Sequence, residues 1–213
     1  MKRIATVGNI AARISTGAVI AVALLAAAPA SASPDLGKPA PVFSATDSNG
    51  HMVSLADYRG KTVVLEWTNH DCPYVRRHYD LGNMQALQKE ATGAGVVWLS
   101  IISSAPGTQG YVKGAEANQL TQKRGAVPTK VVLDPPGTIG RMYGAQVTPH
   151  MYIINPQGIL VYKGGIDDQP APWGELKKET RNFVRLALAD LKQEATVRHA
   201  DTRPYGCTVK YAY

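Results

Sequence analysis

Cysteine is nearly absent: two in 213 residues, Cys72 and Cys207. Two are too few for the disulfide framework of a small secreted scaffold, and their separation excludes the close-spaced pairs of a structural zinc site. Long apolar runs are equally scarce. Only residues 18–28 form one, shorter than the roughly 20 residues a spanning helix needs. No second run follows, so the body of the chain reads as soluble, without stable membrane insertion. Basic residues outnumber acidic ones, 23 to 16. They are scattered, with no stripe and no interleaved aromatics, which excludes nucleic acid as a partner. No repeat, low-complexity tract or linker divides the chain.

The N-terminus has the layout of an export signal. Lys2, Arg3 and Arg13 form a basic region, residues 18–28 an apolar one, and Ala30-Ser31-Ala32 a small-residue cleavage site. Residues 1–32 are therefore read as a signal peptide and residues 33–213 as one domain, periplasmic or secreted. That length suits a single full core. Export places both cysteines where a disulfide persists. They are either one structural bridge holding the tail, or a nucleophile and its resolving partner.

The chain is organised around residues 62–78. Thr62-Val63-Val64-Leu65-Glu66-Trp67 reads as a buried strand, Asn69-His70-Asp71 breaks it, and Pro73 suits the first position of a helix. Cys72 then stands at the N-cap. There the unpaired N–H groups of the first turn favour a thiolate, and Arg76 and Arg77 add positive charge one turn on.

Around this centre, residues 42–46 and 51–55 read as a hairpin closed by Asp47-Ser48-Asn49-Gly50. Asp80-Leu81-Gly82-Asn83 interrupts the helix after Cys72, and Met84, Leu87 and Ala91 resume it. Residues 96–102 and 130–133 are further strands, with a helix over 116–123 between them. Thr138 reads as the cap of a short helix. Residues 151–154 and 159–163 form a hairpin. The spacing of Leu176, Phe183, Val184, Ala187, Leu188 and Leu191 predicts a long amphipathic helix over 175–194. Asp167-Asp168 reads as part of a solvated loop. The aromatic tail, residues 202–211, does not have a disordered composition.

The strand, loop, Cys72-Pro73 and helix resemble the thioredoxin-like superfamily. The resemblance is to its redoxin and peroxiredoxin-like branch, of the alkyl hydroperoxide reductase/thiol-specific antioxidant type. Gly37-Lys38-Pro39-Ala40-Pro41-Val42-Phe43, Asp47 with Gly50, Leu55 and Gly60-Lys61 are similar to that branch's N-terminal module. The Gly206-Cys207-Thr208-Val209-Lys210-Tyr211 ending is similar to its tail. Thr148-Pro149 before a hairpin resembles the superfamily's cis-proline loop, which faces the reactive cysteine. The resemblance implies an α/β fold, with a mixed central sheet, helices on both faces and an N-terminal β-hairpin. Two departures stand beside it. Val75 replaces the second cysteine of Cys-x-x-Cys, and Leu65 and Asn69 replace the proline and threonine of the peroxiredoxin motif.

The implied chemistry is exported thiol-dependent oxidoreduction. Cys72 is the nucleophile, open to small oxidised molecules. Arg76 biases its charge, Thr148 and Pro149 shape the substrate side, and Cys207 is the resolving candidate. A hydroperoxide would convert Cys72 to a sulfenic acid that a thiol condenses to a disulfide. A disulfide substrate would give a mixed disulfide resolved by Cys207 or an external thiol reductant. Asn69 or Thr68 would stand in for the missing threonine. No cofactor and no metal are expected. The competing readings are a copper-type Cys/His site using Cys72 with His70 or His150, and a non-catalytic binding module. His70, His78 and His150 otherwise read as surface or supporting residues.

Overall fold

The computed structural model describes Met1 and residues 33–212; the predicted signal segment lies, Met1 aside, outside the described residues. The apolar run of the organising stretch forms β3 (Val63–Trp67), every residue of which is buried. It pairs in parallel with β4 (Val97–Ile102) and antiparallel with β7 (His150–Ile154), so it lies inside a seven-stranded mixed sheet. On one side the sheet continues through β5 (Lys130–Leu133) to the N-terminal hairpin, β1 (Ser44–Asp47) and β2 (Met52–Ser54). On the other it ends with β8 (Leu160–Gly164). The expected hairpin is present, its strands shifted by one or two residues.

Side chains alternate across a strand, and here each face has its own core. Leu65, Trp67, Leu99, Ile101 and Tyr152 project to one side. They are covered there by Phe43, Leu55 and α4 (Thr138–Tyr143). Trp67 is fully enclosed, its ring 5.4 Å from that of Tyr143 and 5.1 Å from that of Tyr152. Truncating such an aromatic costs about 3–5 kcal/mol. Val64, Trp98, Met151, Ile153 and Tyr162 project to the other side. They are covered by α1 (Pro73–Asp80), α2 (Asn83–Gly93) and α5 (Phe183–Lys192). The last helix of the central region, α3 (Gly114–Lys123), packs Ala117 against Val131 of β5. Helices thus flank both faces, as the sequence implies.

Three expectations are corrected. The final helix starts at Phe183, not 175, because Asn182 caps it by accepting the Arg185 N–H at 2.9 Å. Residues 169–175 are held away from helical geometry by the buried Arg77, whose guanidinium donates to the carbonyls of Gln169, Ala171, Gly174 and Glu175. Leu176 therefore lies outside the apolar face. Thr138 is the first residue of α4, and Gly137 is its N-cap. Asp167 is buried, not solvated.

The tail is ordered. β6 (Val147–Thr148) and β9 (Cys207–Thr208) form a small antiparallel ladder in which Thr148 is opposite Cys207. Among the described residues no helix is long and apolar enough to cross a membrane.

Candidate active site

The loop after β3 is fixed by Asn69. Its side-chain oxygen accepts the Asp71 N–H at 2.9 Å, its carbonyl accepts the Cys72 N–H at 3.1 Å, and its amide donates to the Gln109 carbonyl at 3.2 Å. This turn delivers Cys72 to the N-cap of α1, with Pro73 in the first turn, as the sequence predicts. The Thr148–Pro149 peptide is cis, also as predicted.

The sulfur itself departs from expectation. Cys72 makes no side-chain cap bond to its helix. Instead its thiol lies 3.1 Å from the Thr148 carbonyl oxygen, to which it donates. It is 0% exposed, sealed rather than open. The C-terminal strand provides the cover. Gly206 crosses against the Thr148 carbonyl with φ +141°, where a Cβ would collide with that oxygen. Cys207, half-buried, packs against the same core as Cys72 and lies opposite Thr148 in the ladder. Both cysteines are free thiols.

Burial first, then the neighbouring Cys72, push the Cys207 thiol up to about 12. Lys210 and the backbone of Tyr74 oppose the rise. Tyr74 is in the first turn of α1.

The other sequence candidates lie further off. Arg76 is exposed on α1 and lines a surface groove with Pro73, Asp80 and Trp173. Arg77 is committed to the four carbonyls already named. Thr68 and His70 line a cavity of about 40 Å³, where the Thr68 hydroxyl and His70 Nδ1 have no partner. The Asn69 amide is consumed by its turn. His150 follows Pro149, but its ring stacks on Tyr152 at 4.6 Å, in the core opposite that of Cys72. Burial, reinforced by Lys163, pushes it down to about 3. Among the described residues no group of three or more His, Cys, Asp or Glu side chains converges to hold a metal ion.

Two buried polar clusters escaped the sequence reading. Glu66, fully enclosed on β3, accepts from the Tyr79 hydroxyl at 3.0 Å and from Gln88 at 3.1 Å, Trp98 Nε1 at 2.8 Å and Ser100 at 2.9 Å. Its signal was present, a carboxylate inside an otherwise apolar strand. The second joins His78, Asp167 and Tyr205. Nothing in the sequence pairs them.

Comparison with known proteins agrees with this arrangement. Residues 36–163, more than half of the chain, match the AhpC/TSA family. A Coxiella burnetii protein assigned as the peroxiredoxin bcp is 26% identical over 147 residues, 67% of this chain and 90% of that protein. The thiol-disulfide oxidoreductase ResA of Bacillus subtilis is 25% identical over 125 residues, 59% of this chain and 64% of that protein. An uncharacterised conserved protein from Geobacillus kaustophilus shares the fold, with a TM-score of 0.73 at 24% identity over 84% of this chain and 93% of that one. With a thioredoxin-like sheet, a cysteine capping the first helix after the central strand and a cis-proline loop against it, the chain belongs to the AhpC/TSA family of thiol-based oxidoreductases.

Proposed function

We propose that the protein is an exported thiol–disulfide oxidoreductase in which Cys72 attacks the substrate disulfide and Cys207 resolves the product. The observation that carries this is the placement of Cys207 opposite Thr148, the residue whose carbonyl receives the Cys72 thiol. The Cys72 thiolate attacks one sulfur of the substrate, forming a mixed disulfide and expelling the other sulfur as a thiolate. Cys207, as thiolate, then attacks the Cys72 sulfur, closing the internal disulfide and releasing the second substrate thiol. Two electrons pass from the protein dithiol to the substrate, and an external thiol reductant restores the dithiol.

The surroundings of Cys207 suit the second step. Two of the three influences that hold its proton come from Cys72. Once Cys72 is bound in a mixed disulfide, its thiol no longer interacts with that of Cys207. The Tyr74 backbone and Lys210 then act against burial alone, and Cys207 ionises more readily when it is required. Substrate reaches Cys72 when residues 206–208 lift from the Thr148–Pro149 loop. Disulfide chemistry is favoured over peroxide chemistry because Asn69, at the place of the peroxiredoxin threonine, has its amide engaged in the loop. Export is supported by the basic, apolar and small-residue succession of residues 1–32.

The test exposes reduced wild type, Cys72→Ser and Cys207→Ser to an oxidised dithiol or hydrogen peroxide, traps with an alkylating agent and reads intact mass. Wild type is expected to form the Cys72–Cys207 disulfide, Cys207→Ser to retain a substrate adduct on Cys72, and Cys72→Ser to remain unmodified. An adduct on Cys207 in Cys72→Ser would reverse the roles. Faster reaction with peroxide than with the dithiol would make the protein a peroxidase. Recovery of a chain beginning at Ser33 outside the cytoplasm checks export.

A further inference from the structure

The tail that brings Cys207 to Cys72 is anchored two residues upstream. Tyr205 reaches into a buried cluster built from three distant elements: His78 of α1, Asp167 after β8, and its own hydroxyl. The hydrogen bonds run in one direction. The Asn83 side-chain amide donates to His78 Nδ1 at 2.8 Å, so the ring carries its proton on Nε2. His78 Nε2 lies 3.1 Å from the Tyr205 hydroxyl oxygen and donates to it. The Tyr205 hydroxyl donates in turn to Asp167 Oδ1. His78 and Asp167 are 0% and 1% exposed, and Asp167 Oδ2 is buried without a hydrogen-bond partner. The Tyr205 ring packs on that of Tyr74, in the first turn of α1, with 5.8 Å between centroids.

A buried carboxylate and a neutral buried imidazole are costly to leave unpaired. Here a single hydroxyl serves both, joining the Gln169 N–H, 3.0 Å away, on Asp167 Oδ1, and it belongs to the segment carrying Cys207. Between hydroxyl and sulfur lies only Gly206, fitted against the Thr148 carbonyl. Cys207 is then fixed from both sides, by the Tyr205 anchor and by the Thr148 ladder.

We propose that Tyr205 is a positioning residue for the Cys72–Cys207 couple: shared by His78 and Asp167, its hydroxyl holds the tail so that the mixed disulfide on Cys72 meets Cys207 at high effective concentration. The proposal rests on the two-cysteine reading above. It assigns the cluster a role in exchange, in addition to its contribution to the core.

The test titrates full-length wild type, Tyr205→Phe, Asp167→Ala, Asp167→Asn and the Tyr205→Phe/Asp167→Ala double variant with reduced and oxidised glutathione. Mass spectrometry resolves the internal disulfide from the Cys72–glutathione adduct, and hydrogen exchange reports the tail amides. In Tyr205→Phe the ratio of internal disulfide to adduct should fall about tenfold, the scale of one hydrogen bond to a charged acceptor. Exchange at residues 206–209 should accelerate to a similar degree. Asp167→Ala should match it and the double variant should add nothing further. Asp167→Asn, which keeps an acceptor, should stay within about threefold of wild type. A Tyr205→Phe ratio within threefold of wild type, unchanged tail exchange, or additive losses in the double variant would each overturn the proposal. A wild type that never forms the internal disulfide, despite a tail that loosens in Tyr205→Phe, would instead remove the two-cysteine reading and this role with it.

Discussion

The Cys72 thiol donates to the Thr148 carbonyl oxygen across 3.1 Å, and Thr148 is the residue that pairs with Cys207. One peptide unit therefore receives the first sulfur and carries the strand that covers it. Gly206 is the point where this stacking is tightest. Its φ of +141° and its contact with the Thr148 carbonyl leave no room for a Cβ. Gly206→Ala is expected to displace the tail at a local cost of about 2 kcal/mol. Cys72 should then be alkylated at least tenfold faster in the native protein, a change read by peptide mass spectrometry. An unaltered rate would mean that the tail is not what shields the sulfur.

Cys207 should respond to the removal of its neighbour. Its thiol is pushed up to about 12 by burial and then by Cys72. Cys72→Ala removes the second of these influences and leaves burial opposed by Lys210 and the Tyr74 backbone. Since only the thiolate is alkylated, Cys207 at pH 9 should react several-fold to tenfold faster in Cys72→Ala than in wild type. Equal rates would show that Cys72 does not hold the Cys207 proton, and would weaken its role as resolving thiol.

What the sequence disclosed was local. The Cys72-Pro73 helix start, the interruption near Gly82 and the bounds of β5 all depend on residues adjacent in the chain, while the cis Thr148–Pro149 peptide was implied by the family resemblance. What it hid was non-local. Residues 175–182 have helical spacing, but Arg77, about a hundred residues earlier, claims the carbonyls of Gly174 and Glu175. Asp167 has a loop's composition, and only the arrival of Tyr205 from the tail buries it usefully. The exposure expected for Cys72, at the start of the helix after the central strand, failed: the residue is fully buried, with the β6–β9 ladder beside it.

Glu66 offers a stability test independent of the redox centre. Four side chains donate to its two oxygens inside the core. Glu66→Gln keeps the shape but turns one acceptor into a donor facing donors. At least one hydrogen bond is lost and a polar group is left unpaired, a cost of about 2–3 kcal/mol. Urea unfolding should register the loss as a lower midpoint with an unchanged slope. A midpoint equal to that of wild type would mean that the four donors find other acceptors.

Acid should act through His78. Burial, reinforced by Arg77, lowers it from 6.5 to about 4. In the unfolded chain the ring takes up a proton near pH 6.5; in the folded protein it resists until about pH 4. Between those values the unfolded state binds more protons, so stability is complete above pH 6.5 and is lost as pH falls toward 4, by about 3 kcal/mol from this ring. His150, lowered to about 3 by burial and Lys163, adds a loss of the same sign that continues to lower pH. The buried carboxyl of Asp167, raised mainly by desolvation, works in the opposite sense and offsets part of it. Unfolding free energies measured from pH 7 to pH 4.5 should fall steeply in wild type. In His78→Gln, which keeps polar atoms near Tyr205 and Asn83 but cannot titrate, the slope should drop by about one proton. An identical slope in the variant would place the acid sensitivity elsewhere, with His150 the next residue to replace.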